Sequence, residues 1–140
     1  MKARTGYVSN SSSSSFILMY NDGSKMTMSG RRRGSPKVDF TIEDLIGFIE
    51  HSSNYCSDCT EVVANGIKNV ESYLTEKDSY GYSNYDEEYS NSILNKMQSF
   101  KDKYNEAMII RVEYDDKIVR KLIEAFINSG ELLNLDSENN

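Results

Sequence analysis

The chain has 140 residues, 38% of them apolar and 27% charged, with a net charge of −6. That length fits a single domain. Its longest uncharged apolar run falls far short of the ~20 residues that a membrane-spanning helix needs, and a serine tract stands where a signal peptide would carry its apolar stretch.

Residues 1–15 read as an extended arm, because Ser9, Asn10 and Ser11 to Ser15 offer almost no apolar surface to bury. Phe16 to Tyr20 has the length and composition of a strand. Asn21-Asp22-Gly23-Ser24 then reads as a hairpin turn into a return strand, Lys25 to Ser29, with Met26 and Met28 on one face. Gly30 to Pro36 is a loop by its glycines and proline, and Lys37 to Phe40 fits a brief edge strand.

Thr41 is a candidate N-cap, with Glu43 and Asp44 in the first turn to complement the helix dipole. Ile42, Leu45, Ile46 and Ile49 then repeat at one-face helical spacing. A second helix is expected from about Thr60, on the stripe Val63, Ile67, Val70 and Leu74. Asp78 to Asn84 is a loop. A third helix is expected from about Asp86 to Tyr104, carrying Tyr89, Ile93, Met97, Phe100 and Tyr104.

The segment 107–114 is the clearest strand, with Met108, Ile110, Val112 and Tyr114 facing the core and Arg111 and Glu113 facing water. Asp115 or Asp116 caps a last helix bearing Ile118, Val119, Leu122, Ile123, Phe126 and Ile127, and Gly130 stops it. Leu132, Leu133 and Leu135 fit a final short strand or a packed tail, and residues 136–140 a frayed end. The order predicts an α+β fold over residues 16–135. A small antiparallel or mixed sheet, made of the N-terminal hairpin and the strand at 107–114, would carry about four helices on one face.

The stretch Arg4-Thr5-Gly6-Tyr7-Val8-Ser9-Asn10-Ser11-Ser12-Ser13-Ser14-Ser15-Phe16-Ile17 resembles a leader shared by many uncharacterised proteins of tailed phages and their bacterial hosts. They begin Arg-x-Gly-(Phe/Tyr)-Val-Ser-Asn-Ser-Ser-Ser-Ser-Ser-Phe on otherwise dissimilar bodies. The resemblance covers residues 4–17 only. It implies a phage or prophage origin and carries no activity; a recognised tag, a processing site and a slack arm are all compatible with it.

Four constellations are candidates for chemistry. His51, Cys56 and Cys59 form H-x4-C-x2-C, whose two thiolates can reach one structural zinc, although no other cysteine or histidine completes the set. The alternatives are a redox pair and two ordinary reduced thiols, and so few cysteines fit a reducing cytosol. Arg31, Arg32 and Arg33 between glycines are a candidate phosphate clamp for nucleic acid, competing with a plain solvated loop. Tyr80, Tyr82, Tyr85 and Tyr89 surround Asp86, Glu87 and Glu88 in an acidic-aromatic segment suited to a basic partner surface. A helix first turn rich in acids explains those carboxylates equally well. Asp115 and Asp116, after a strand, could hold a metal, but capping accounts for them more simply. No established nucleophile, phosphate-loop or metalloprotease pattern is present in the sequence.

Charge distribution makes a binding role preferable to an enzymatic one. Residues 1–37 hold seven basic side chains against Asp22 alone, whereas residues 38–140 hold nine against 21 acidic ones, so a +6 segment precedes a −12 body. The expectation is a phage-encoded accessory protein in the host cytoplasm that binds a host protein with a basic surface, without catalysis and without a cofactor. A nucleic-acid- or virion-associated module using Arg31–Arg33 is the alternative, and a small metal-dependent enzyme a second one.

Overall fold

Two apolar segments that no polar residue interrupts, Ile17 to Tyr20 and Ala107 to Ile110, must each bury both of their faces, and the architecture follows from that. The computed structural model describes residues 13–29, 33–53, 60–113 and 116–136. In chain order its elements are β1 (Ser13–Tyr20), β2 (Lys25–Ser29), β3 (Lys37–Thr41), α1 (Ile42–Ser53), β4 (Glu61–Asn65), α2 (Ile67–Thr75), α3 (Glu87–Phe100), β5 (Glu106–Glu113), α4 (Lys117–Asn128) and β6 (Leu132–Asn134). β4, β5, β1 and β6 form an antiparallel sheet in that order, and β2 and β3 form a separate two-stranded ribbon. The α+β class is as expected.

The sheet lies between two cores rather than on one. Leu18, Tyr20, Met108, Ile110 and Val112 pack with Ile42, Leu45 and Ile49 of α1 and with Val119, Ile123 and Phe126 of α4. Ile17, Met19, Ala107 and Ile109 pack on the opposite side with Val70 and Leu74 of α2 and Ile93 and Met97 of α3. Helices therefore cover both faces, which corrects the one-face expectation. Met108, Ile110 and Val112 face one core as the alternation predicts, but Ala107 and Ile109 on the other face are apolar as well and need a second layer. Arg111 and Glu113, past the second core, pair with each other at 3.5 Å, and Arg111 also reaches Glu61 at 3.1 Å. Tyr114 lies outside the described residues.

The expected hairpin between β1 and β2 does not form. The Asn21–Ser24 turn is present, with the Ser24 amide donating to the Asn21 carbonyl at 3.0 Å. Both edges of β1 are occupied, however, by β5 along its whole length and by β6 at Leu18–Tyr20. The Asn21 side chain is also tied to the segment before β5, donating to the Lys103 carbonyl and accepting from the Asn105 amide, each at 3.0 Å. The chain is thus turned away from the sheet, and β2 pairs with β3, placing Met26 opposite Phe40 against the first core.

The helix expected from Thr60 begins later. Val62 and Val63 are β-branched and belong to β4. Gly66, at φ 103°, turns the chain into α2, so only Ile67, Val70 and Leu74 of the expected stripe are helical. α1 starts where Thr41 predicts, the Thr41 hydroxyl accepting from the Asp44 amide at 3.0 Å and the Asp44 carboxylate from the Thr41 amide at 2.9 Å. Ser13 to Ser15, assigned to the arm, are the first residues of β1, opposite Glu113 to Arg111. At the other end Asp136 is held, its amide donating to the Asn134 side chain, and residues 137–140 lie outside the described set.

Candidate functional site

The acidic-aromatic segment folds around one carboxylate. Asp78 accepts from the amides of Tyr80 at 2.8 Å and Tyr82 at 3.0 Å. Its own amide donates to the Tyr82 carbonyl at 2.8 Å, and its carbonyl accepts from the Gly81 amide at 3.0 Å. Gly81 takes a left-handed φ of 86°, a conformation that glycine adopts without cost. Lys77 and Ser83 close the turn as an isolated bridge, the Ser83 hydroxyl donates to the Tyr85 carbonyl, and Asn84 donates to the Tyr73 carbonyl at 2.9 Å. The turn is pinned at both ends, and it holds Tyr80 and Tyr82 out in solvent, 83% and 74% exposed.

The other two tyrosines of the segment point inward. Tyr85 is 6% exposed in the second core, with ring centroids 6.1 Å from Tyr73 and 5.3 Å from Tyr89. Tyr89 is half-buried against the same core. The structure therefore corrects the assignment of Tyr85 to the contact surface, because a ring buried in the core offers a partner little area. Asp86 caps α3 by accepting from the Tyr89 amide, while Glu87 and Glu88 stand exposed in the first turn. Of the seven sequence candidates, Tyr80, Tyr82, Glu87 and Glu88 are exposed, as are the neighbouring Glu76 and Asp78.

Beside this turn runs a trough that sequence reasoning missed. One hollow of about 370 Å³ lies along β4, between Glu50 of α1 and Asn69 and Tyr73 of α2, with Glu76 just past the end of α2. A second, of about 380 Å³, continues from Glu50 and Asn65 to Asp22, Glu43 and Glu106. The Tyr20 hydroxyl forms part of its wall and donates to Asn65 Oδ1 at 2.9 Å. Burial, and then the carboxylates of Glu106, Asp22 and Glu43, push the Tyr20 pKa up to about 12. The only advance signal was Glu43, Ile46, Gly47 and Glu50 along one face of α1. The remaining wall comes from strand ends far apart in the chain.

The other candidates are dispersed. His51 is exposed in the last turn of α1, and Cys56 and Cys59 lie outside the described residues. The element after them is β4 and not a helix, so the expected helix start that would orient the thiolates is absent. Arg31 and Arg32 also lie outside; Arg33 is exposed in the turn before β3. Asp115 lies outside the described set as well. Asp116 caps α4, accepting from the Val119 amide at 3.2 Å, and takes the hydroxyl of buried Thr60 at 2.6 Å. Among the described residues no group of three His, Cys, Asp or Glu side chains is placed to hold a metal ion, and no helix is long and apolar enough to cross a membrane. Compared with known proteins, the chain matches no family model, no curated protein and no solved structure.

Proposed function

We propose that this chain is a non-catalytic binding protein of phage or prophage origin, acting in the host cell, whose acidic, tyrosine-bearing side engages a basic surface of a host protein. The observation that carries the reading is the Asp78-centred turn. Exposing two tyrosines at 83% and 74% on a backbone already fixed by four hydrogen bonds lowers the ordering cost of an interface. Tyrosine supplies large contact area with few rotors. Glu76, Glu87 and Glu88 around the turn supply the sign of charge that steers a cationic partner.

The test is affinity capture from host lysate with the full chain and with the double variant Tyr80→Ser/Tyr82→Ser. A specific partner that is lost in the variant and weakened by salt supports the reading. Equal recovery by both proteins refutes it.

The nucleic-acid alternative keeps one favouring observation: Arg33 and Lys37 are exposed at the outer end of the β2–β3 ribbon, while the ribbon's carboxylate, Asp39, is spent on Lys25 at 3.0 Å. A gel shift unchanged by replacing Arg31, Arg32 and Arg33 with alanine removes it.

A further inference from the structure

β4 is the outermost strand of the sheet on its side. It pairs with β5 along one edge, and no strand among the described residues pairs with the other. The Gly66 amide donates to the Ala107 carbonyl at 2.8 Å. By antiparallel alternation the neighbouring Asn65 amide then faces the open edge. The Asn65 carbonyl is taken by Asn69 Nδ2 at 2.7 Å, which ends the open stretch on that side. Exposed edges are commonly blunted by lysine, proline or a covering helix. Val62 to Asn65 contain neither residue, and together with Glu50 of α1 and Asn69 and Tyr73 of α2 they line the first hollow. The register shift between Val62 and Ala64 turns Val63 and Ala64 to the same core.

The walls select a charge. Glu76 stands beside the first hollow, Glu50 where the two hollows meet, and Asp22, Glu43 and Glu106 around the second; no lysine or arginine lines either. We propose that this trough receives an extended, lysine- or arginine-bearing segment of the partner protein, which adds to β4 as a further strand. Main-chain hydrogen bonds to the β4 edge supply affinity. The carboxylates meet the basic side chains that alternate outward from such a strand. This rests on the reading above and deepens it, because Glu76 is followed directly by the Lys77–Ser83 turn. Tyr80 and Tyr82 then meet the partner where its strand leaves the trough.

The experiment uses the full ¹⁵N-labelled chain and an acetylated nine-residue peptide alternating lysine and threonine. Two control peptides accompany it, one N-methylated at every second amide and one with glutamate in place of lysine. The expected result is a change in the amide signals of Val62 to Asn65, with slowed hydrogen exchange. Binding should be at least tenfold weaker for either control peptide and for the variant Glu50→Lys/Glu76→Lys, whose positions are exposed and outside both cores. Equal binding of the N-methylated peptide, or signals at Val62 to Asn65 that do not move, overturns strand addition. The peptide is read without the host partner, so the two proposals fail separately. Loss of the β4 response leaves capture through Tyr80 and Tyr82 standing, and loss of capture leaves the β4 response standing.

Discussion

Tyr80 and Tyr82 belong to the same short segment as Tyr85 and Tyr89, yet the first pair stands in water and the second pair supports a core. Nothing in the residue type separates them. What does is the backbone: a turn closed on Asp78 faces its side chains outward, whereas the approach to α3 turns Tyr85 beneath Tyr73 and Tyr89. A tyrosine-rich acidic stretch is thus two devices in series, a display surface and the anchor that holds it.

Tyr85→Ala should have the largest effect, about 3 kcal/mol of lost stability in urea unfolding, since a large buried ring leaves a cavity. If the loss were only a few tenths, the anchor half of the comparison would be wrong. Tyr80→Ser/Tyr82→Ser should leave the urea midpoint within about 0.5 kcal/mol of the parent, as exposed substitutions do. The same variant should weaken partner binding at least tenfold, about 1.4 kcal/mol. Asp78→Ala removes an acceptor of two amides and should cost about 1 kcal/mol locally. It reads out as faster hydrogen exchange at Tyr80 and Tyr82, with the cores unchanged.

Tyr20, buried in the first core, gives a pH test. Its hydroxyl ionises near 10.0 when unfolded and near 12 when folded, so the folded state keeps the proton longer. Its contribution is complete below pH 10.0 and is lost as pH rises through about 12. Alkaline unfolding curves for Tyr20→Phe should lack that part of the decline, and parallel curves for the two proteins would contradict it. At neutral pH this effect vanishes.

Much of the fold could be read from the chain. α1, α3 and α4 announce themselves through Thr41, Asp86 and Asp116 as caps and through apolar residues at helical spacing. Two features could not. β4 reads as helix in the sequence because Val63 continues the stripe of Ile67, Val70 and Leu74, and a pair of β-branched residues carries no period of its own. The β1–β2 hairpin was expected from a good local turn, but pairing is settled by competition for edges, and β5, nearly ninety residues along the chain, occupies one of them.

The candidate site divides in the same way. The tyrosines and glutamates of 80–89 were visible, although not which of them face out. The trough draws on β1, α1, β4, α2 and β5, and only their assembly brings Glu50, Asn65 and Glu106 together.

The serine tract gains a different meaning from its last members. Ser13, Ser14 and Ser15 are ladder residues of a central strand, opposite Glu113, Val112 and Arg111. A protease that trimmed the leader from the folded protein would have to cut before Ser13, and a cut after Ser15 would strip the first three rungs from the sheet. An intact-mass measurement on protein from cells has a sharp boundary to look for: the expected mature form begins at Ser13 or upstream of it. The stretch that resembles a detachable label is at its far end part of the frame.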